Sequence, residues 1–285
     1  MHLSISHRTR YEYDREVQFL PHLLYLRPRE NPLLQVERFT FTFQPGARVQ
    51  WMRDDFDNLP ASVQFSTNAA TLEICSECTV TTTDTPPFNF LVRDYARTVP
   101  FTYEPLHRFN LSIYLNPPED AVLSPLRRWL AEHFTGRPQE TVAWLFALNQ
   151  AICRSLTYQR RDEPGIQTAL ATIALGGGSC RDFAALLVEC ARVLGIAARF
   201  VSGYMFDPTT NGAAAGAMHA WAEVFLPGAG WIGLDPTHGL FCQNAYVPVA
   251  HAVVAESVNP IQGSFFSAVP ATARLTSDVR VSQSP

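Results

Sequence analysis

The 285-residue sequence predicts an α+β fold, in which an antiparallel β-rich domain precedes a core of helices and antiparallel strands. Residues 1–100 contain stretches in which polar residues alternate with apolar or aromatic ones, as in half-buried strands. Residues 124–194 space apolar residues three and four apart, as amphipathic helices do. Two alternating stretches around a Pro-Gly-Ala-Gly turn predict a hairpin over 219–235. We assign 1–100 to the β-rich domain, 101–270 to the core and 271–285 to a C-terminal strand or tail.

Charge and cysteine content exclude some classes of binding partner and predict where the protein is located. Lys and Arg total 22 and Asp and Glu total 26, a net charge of −4, which argues against nucleic acid or an anionic membrane as a partner. The first residues lack a long apolar run, so we expect neither a signal peptide nor a spanning helix. Six cysteines at irregular spacings do not form a dense disulfide framework, and we expect a reducing, cytoplasmic location.

The N-terminal strands are predicted in "LSISHRTRYEY", "VERFTFTF" and "TLEICSECTVTTT", with turns at 44–47 and 54–60 between them. Short strands at this spacing predict an antiparallel sandwich or a curved sheet. Cys75 and Cys78 form a C-x-x-C pattern, but residues three apart on a strand point to opposite faces. Because a metal needs several converging ligands, we interpret this pair as structural.

The middle of the chain links the two predicted domains and then becomes helical. Residues 84–120 are rich in proline and aromatic residues, which predicts a connecting segment that lies along both domains. One helix is expected from Ser124 to about Phe134, with a break at 136–138. A second helix follows, with apolar residues at helical spacing over 142–152.

Cys180 is the first residue whose sequence context predicts a reactive side chain. Ser179 and Asp182 form a capping-box-like pair, which places Cys180 at the first position of a predicted helix. The helix dipole and the free N–H groups at that end favour a thiolate. Glycines 176–178 let the backbone approach a substrate or a neighbouring strand, although a buried cysteine after a flexible loop is an alternative. Cys190, in the middle of the same helix, is expected to be a small core residue.

His219 and Asp235 lie at the open ends of the predicted hairpin. With the turn centred near residues 228 and 229, Asp235 should lie close to the level of Ala222, one or two steps from His219. The carboxylate could then hold the imidazole's tautomer while the other ring nitrogen faces Cys180. Cys180, His219 and Asp235 together predict nucleophilic acyl-transfer chemistry.

These two segments, "GSCRDFAALLVECARVLGIAARFVSGY" and "HAWAEVFLPGAGWIGLDPTHG", resemble the bacterial transglutaminase-like family of the papain-like cysteine enzymes. The N-terminal "SHRTRYEYDREVQFLPHLLYLRPRENP" resembles the β-rich domain that accompanies this family. The resemblance runs from about His7 to Gly263. It implies a papain-like core with Cys180 as nucleophile, His219 as base and Asp235 as orienting acid. It also implies that no metal or organic cofactor is needed.

The chain also departs from the family pattern. Arg181 follows the nucleophile where the commonest branch has Gln, and His238 stands where that branch has Asn. A Gly-Arg-Asp-Tyr-like segment that many relatives carry before the closing strands is missing from this sequence. These differences leave the substrate pocket and the specificity open.

Several neighbouring residues have more than one interpretation. His238 could line the cleft or compete with His219 as the base, and we rank it second on geometry. The oxyanion hole should include the backbone N–H of Cys180, with Gln167 as the candidate for the second donor. Residues 206–218 predict either a lid over the cleft or a disordered insertion.

The predicted function is attack of a cysteine on a peptide, isopeptide or other amide bond through a thioester. Hydrolysis is favoured, with a peptide or protein as substrate. An amine-transferring transglutaminase and a catalytically silent peptide-binding module are the alternatives. The β-rich domain is expected to bury apolar surface against the core and to form one wall of the cleft.

Overall fold

The computed structural model describes residues 1–86, 88–117, 119–133, 139–161, 163, 165–210 and 218–283. Its helices are α1 (Pro105–Asn110), α2 (Asp120–His133), α3 (Thr141–Ser155), α4 (Ala169–Leu175) and α5 (Cys180–Val193). Its strands are β1 (His2–Phe19), β2 (His22–Leu24), β3 (Leu34–Gln44), β4 (Ala47–Trp51), β5 (Ala61–Phe65), β6 (Ala69–Thr82), β7 (Thr98–Val99), β8 (Gln139–Glu140), β9 (Thr157–Tyr158), β10 (Gly177–Gly178), β11 (Ala198–Met205), β12 (His219–Leu226), β13 (Gly230–Asp235), β14 (Leu240–Phe241), β15 (Tyr246–Ala252), β16 (Ile261–Gln262), β17 (Phe265–Phe266) and β18 (Ala273–Gln283).

Two antiparallel sheets form the N-terminal part of the molecule. One has the order β17-β1-β6-β3, with β18 also paired to β1, and the other has the order β16-β2-β5-β4. Alternate residues of their strands, among them Leu24, Val63, Leu72 and Ile74, are buried together in one apolar cluster. Period-two burial therefore produces the sandwich that the alternating sequence predicts, and Cys75 and Cys78 point to opposite faces of β6, with Cys78 buried and neither in a disulfide.

The chain returns to these sheets after the core. β16 pairs with β2, β17 pairs with the end of β1, and β18 pairs with β1 along residues 3–13. Ile261 and Phe265 pack against the apolar cluster of the N-terminal sheets, and this burial stabilises the two short strands there and not on the core sheet. Residues 261–266 thus lie with the N-terminal strands, whereas the sequence assigned them to the core. β18 lies in the segment predicted as a strand or tail.

A third antiparallel sheet, with the order β14-β13-β12-β11-β15, forms the core together with α5. Phe183, Leu186 and Leu187 are buried on α5 against alternate residues of β12. Two of those β12 residues, Ala220 and Ala222, are small, which lets the helix approach the sheet closely. The α+β fold class is therefore confirmed.

Of the four helices that the described residues form before α5, the sequence predicts two, α3 and, with a different start, α2, whereas it does not predict α1 and α4. α3 covers the predicted apolar stripe, but α2 begins at Asp120 instead of Ser124, with Pro125 inside it. The carbonyl of Glu119 accepts hydrogen bonds from the N–H groups of Val122 and Leu123 at 2.8 and 2.9 Å, so the first turn forms before the proline. Pro125 lies in the second turn, where its missing N–H removes one helical hydrogen bond, and the rest of the helix continues past it. The predicted break at 136–138 lies outside the described residues.

The N-terminal sheets and the core share buried apolar surface. A single apolar cluster contains Leu3 and Val279 of the N-terminal sheet together with Phe183 of α5. The connecting segment adds contacts of its own, because the Tyr103 hydroxyl donates to the Phe225 carbonyl at 2.6 Å. This packing agrees with the expectation that the β-rich domain buries apolar surface against the core.

Candidate active site

Of the three glycines that precede Ser179 and Cys180, two are required by close packing and one by its backbone conformation. Gly176 ends α4 with a φ of +65°, a conformation that favours glycine. A Cβ on Gly177 would lie 2.4 Å from the Thr157 carbonyl oxygen, and one on Gly178 would lie 2.8 Å from the Asp182 Cβ. β10, which holds two of the glycines, pairs in parallel with β9. The glycines therefore bring backbone against backbone and hold the start of α5 in place, instead of forming a flexible loop.

Asp182 organises the first turn of α5. Its carboxylate is fully buried and accepts hydrogen bonds from the backbone N–H and the hydroxyl of Ser179, both at 2.8 Å. It also accepts from the Gln167 N–H at 2.8 Å and from the Arg161 guanidinium at 2.7 Å. Burial raises the pKa of Asp182, but the hydrogen bonds from Gln167, Ser179 and Arg161 outweigh it and lower that pKa. The predicted capping box is present, and its Asp182 also ties Arg161 and Gln167 to the helix.

The hairpin brings His219 and Asp235 together with a register one residue away from the predicted one. Ala222 pairs with Leu234, and Leu226 pairs with Gly230 around the turn. Asp235 is therefore level with Trp221, not Ala222, because the turn is centred on Gly228 and not between residues 228 and 229. Residues two apart on a strand share a face, so the Asp235 carboxylate still reaches the His219 ring.

Cys180, His219 and Asp235 form one connected chain. The His219 Nε2 lies 2.9 Å from the Asp235 Oδ2, and the His219 ring also hydrogen bonds with Cys180, for which Nδ1 is the remaining nitrogen. Burial alone lowers the pKa of His219, but the hydrogen bonds and the charges of Asp235 and Cys180 outweigh it and raise that pKa to about 10. The ring is thus held as an imidazolium beside the sulfur, an arrangement that suits a thiolate nucleophile.

Asp235 has more donors than the sequence indicated. In addition to His219, its Oδ2 accepts from His238 Nδ1 at 2.7 Å and from the Tyr246 hydroxyl at 2.8 Å, and its Oδ1 accepts from the Thr237 N–H at 2.8 Å. The carboxylate is fully buried, yet the hydrogen bonds from the two imidazoles outweigh burial and hold its pKa well below the usual range. Sequence reasoning missed Tyr246, since it lies on β15, which is not adjacent to β13 in the sheet.

His238 shares the carboxylate with His219 instead of replacing it. Its side chain is 41% exposed, whereas that of His219 is 12% exposed, and the two ring centroids are 5.4 Å apart. His219, Asp235 and His238 also offer ligand atoms within 4.8 Å of one another, a spacing at which a metal ion could be held. The hydrogen bonds to Asp235 Oδ2 account for this close arrangement of the three groups.

The other predicted residues have mixed outcomes. Gln167 Oε1 accepts a hydrogen bond from Thr172 Oγ1 at 3.2 Å, and its role as an oxyanion donor stays a prediction. Arg181, one of the departures from the family pattern, donates to the carbonyl of Arg161 at 3.3 Å, on the loop that Asp182 also holds. In the predicted lid, residues 211–217 lie outside the described part of the chain.

The remaining cysteines differ from Cys180 in their surroundings. Cys190 is fully buried, and burial raises the pKa of its thiol well above the ordinary value. The Cys153 thiol donates to the Thr237 carbonyl at 3.4 Å, and its pKa is raised by burial and then by the charge of Asp235. Neither environment favours a thiolate.

Comparisons with known families agree with this geometry. Residues 128–236 match the family model of the transglutaminase-like superfamily, and residues 3–81 match that of the bacterial transglutaminase-like N-terminal region. The chain has a transglutaminase-like core behind a bacterial transglutaminase-like N-terminal domain. The matched core range contains Cys180, His219 and Asp235. The superfamily match supports a cysteine-based kind of enzyme.

Similar proteins are known from several bacteria. Uncharacterized proteins of Mycobacterium tuberculosis and Mycobacterium bovis are 28% identical over 277 residues, which cover 92% of this chain and 87% of theirs. The crystal structure of a "putative cysteine protease" from Cytophaga hutchinsonii covers 100% of this transglutaminase-like chain and 92% of its own, with a TM-score of 0.75 and 19% identity. That likeness supports the fold. Within the described residues, no helix has the length and apolar character needed to cross a membrane.

Proposed function

We propose that the protein is a cysteine acyl-transfer enzyme that cleaves a peptide, isopeptide or other amide bond through a thioester on Cys180. The observation that carries the proposal is the hydrogen-bonded chain from Cys180 through His219 to Asp235. Its members come from the first turn of a helix and from the two ends of a hairpin. A nucleophile, a base and an orienting carboxylate in this order are the requirements of nucleophilic acyl transfer.

In the first half of the proposed reaction, the Cys180 thiolate attacks the amide carbonyl carbon. The His219 imidazolium then gives its Nδ1 proton to the leaving amine as the C–N bond breaks. Asp235 keeps the ring in the orientation that presents Nδ1, because it accepts from Nε2. The backbone N–H of Cys180 is the proposed donor to the developing oxyanion, with Gln167 as the candidate for a second one.

In the second half, the thioester passes its acyl group to water. Neutral His219 takes a proton from the water as the oxygen attacks, the C–S bond breaks, and the thiolate and imidazolium are restored. Hydrolysis is the outcome we favour, and transfer to an amine is the alternative. A silent peptide-binding module is less consistent with the site, since binding alone does not require an imidazolium hydrogen bonded to a cysteine.

The proposed substrate is a peptide or a protein, and the chemistry as written uses no metal or organic cofactor. All six cysteines are free thiols. This usage is typical of a reducing compartment, and on this ground we propose a cytoplasmic location.

Trapping of the acyl-enzyme tests the proposal. The protein is mixed with a p-nitrophenyl ester, quenched in acid, and examined by intact-mass and peptide-mass spectrometry. An acyl adduct on Cys180 is expected, with no adduct in Cys180→Ala and a normal one in Cys190→Ala, which changes a cysteine of the same helix. A peptide library then reports the bond that is cleaved. An adduct that persists in Cys180→Ala would contradict the assignment of the nucleophile.

A further inference from the structure

Two imidazoles of different exposure share one carboxylate oxygen. His219 and His238 approach the Asp235 Oδ2 at 2.9 and 2.7 Å, through Nε2 and Nδ1 respectively. The Tyr246 hydroxyl donates to the same oxygen at 2.8 Å. His219 is nearly enclosed, whereas His238 is open to solvent. This duplication goes beyond what a nucleophile–base–acid chain needs, since one imidazole suffices to activate a thiol.

The shared carboxylate determines the tautomer of both rings. A buried, ionised Asp235 only accepts, so the proton of His219 lies on Nε2 and that of His238 on Nδ1. In the acyl-enzyme, where His219 has given its Nδ1 proton to the leaving amine, its free nitrogen is Nδ1, the nitrogen on the side of Cys180. The free nitrogen of His238 is Nε2, on a ring in contact with the His219 ring and with solvent. The site therefore holds a second fixed proton acceptor beside the first.

We propose that His238 is a second catalytic base, which takes the first proton from a protonated primary amine when such an amine accepts the acyl group. This inference rests on the proposed thioester chemistry. Water needs one proton acceptor as it attacks, and His219 supplies it. An alkylammonium ion must lose one proton to become a nucleophile and a second one after it attacks. A site with two imidazoles can accept both protons.

The proton balance is complete without another reactant. The ammonium nitrogen gives one proton to His238 Nε2 and becomes a free amine. That amine attacks the thioester carbonyl carbon and forms the new C–N bond, its second proton goes to His219 Nδ1, and the C–S bond breaks. Cys180 leaves as the thiolate that pairs with the His219 imidazolium. His238, being exposed, returns its proton to solvent.

A further charge near His238 suits a cationic acceptor. The hydrogen bonds from Thr209 and, more weakly, the charge of His238 lower the pKa of Asp207, so this carboxyl is ionised and interacts electrostatically with His238. An anionic group at that position attracts an ammonium ion and stabilises the imidazolium formed when His238 takes its proton. Asp207 lies two residues beyond the end of β11, at the same end of the sheet as the start of β12.

The test compares two acceptors on the same acyl-enzyme. A p-nitrophenyl ester loads Cys180, and discharge is measured with methylamine, which is protonated at neutral pH, and with hydroxylamine, which is not. In His238→Gln the amide can still donate to Asp235 but cannot take a proton. The ratio of methylamine to hydroxylamine rate constants should fall by about tenfold or more. Tyr246→Phe is the matched control, because it removes another donor to the same oxygen and keeps both imidazoles, so its ratio should stay within about twofold of wild type.

Three results would overturn the inference. One is an unchanged ratio in His238→Gln, and another is an equal fall in Tyr246→Phe, which would indicate that both residues only position Asp235. The third is a wild-type acyl-enzyme that hydroxylamine discharges and methylamine does not. Failure of the wild type to form an acyl-enzyme at all would instead contradict the proposed function itself, together with this inference.

Discussion

Two buried histidines of the core sheet have opposite protonation preferences. His219 on β12 and His251 on β15 both lie next to β11, where they pair with Gly203 and Val201. Both are largely shielded from water, His219 with 12% and His251 with 4% exposure. The pKa of His219 is raised to about 10, whereas burial and the charges of Arg199 and Arg29 lower that of His251 to about 2.

The difference comes from the neighbours of each ring and not from the degree of burial. His219 has the carboxylate of Asp235 and the sulfur of Cys180 as partners. His251 has two arginines nearby, and its Nδ1 has no hydrogen-bond partner among the described residues. Desolvation disfavours the charged form in both places, so a buried imidazole stays protonated only where hydrogen bonds and anionic partners outweigh that cost, as they do at His219. The same residue type thus favours the charged form in one strand and the neutral form in another.

The largest difference in turnover is expected when His219 and His251 are each replaced by glutamine. His219→Gln should lower the rate of acyl-enzyme turnover by about 10⁴-fold or more, because the base is lost. His251→Gln should leave the turnover of folded protein within about threefold of wild type, since no proton transfer uses it. Steady-state kinetics on samples with matched circular dichroism spectra measure both. A comparable loss in the two variants would indicate that the enzyme uses a different base.

Removal of the negative charge of Asp235 should lower the pKa of His219 toward that of His251. In Asp235→Asn the pKa of His219 should fall, because its main hydrogen-bond acceptor loses its charge. Turnover should fall by about 10²- to 10⁴-fold, less than in His219→Gln, since the ring remains and only its orientation and charge are lost. A histidine NMR titration follows the pKa. If the pKa of His219 stays near the wild-type value, Asp235 is not what maintains the imidazolium.

The two histidines should affect stability in opposite pH ranges. His219, with its raised pKa, stabilises the fold fully below about pH 6.5, and this contribution is lost as the pH rises through about 10. His251, with its lowered pKa, contributes above about pH 6.5 and loses that contribution as the pH falls toward 2. At pH 5 the penalty from His251 should be about 2 kcal/mol relative to His251→Gln.

Urea unfolding of wild type and the two glutamine variants, at intervals from pH 5 to 10, measures these contributions. The free energy of unfolding of wild type should exceed that of His219→Gln by less and less as the pH rises. As the pH falls, the free energy of unfolding of wild type should decrease relative to that of His251→Gln. Parallel curves for all three proteins would contradict the opposite charge preferences.

The smallest effect concerns the anchor of His251. Buried Asn58, from the N-terminal domain, donates to the His251 carbonyl at 2.9 Å and accepts from its N–H at 3.0 Å. Asn58→Ala leaves both backbone groups unpaired and should lower the free energy of unfolding by about 2 kcal/mol, with turnover of the folded protein unchanged. Thermal unfolding with paired kinetic assays measures this. A loss of turnover in the folded variant would link His251 to the chemistry after all.

Much of the site could be predicted because its local geometry depends on neighbouring residues. The capping box of Ser179 and Asp182 starts α5 at Cys180, and the turn between β12 and β13 brings His219 and Asp235 to one end of a hairpin. Alternation and helical spacing likewise identify the strands and helices that make up the α+β fold. These features depend on contacts between residues that are close together in the chain, so they can be predicted from the local sequence.

The tertiary structure alone decided which distant groups complete the site. Tyr246 reaches Asp235 through a sheet order that no local pattern specifies, and the Thr157 carbonyl explains Gly177 only once β9 and β10 are paired. The return of β16 and β17 to the N-terminal sheets depends on apolar surface formed more than 200 residues earlier in the chain. Such contacts depend on packing and strand pairing between segments that are far apart in the chain. The sequence next to either partner therefore does not specify them.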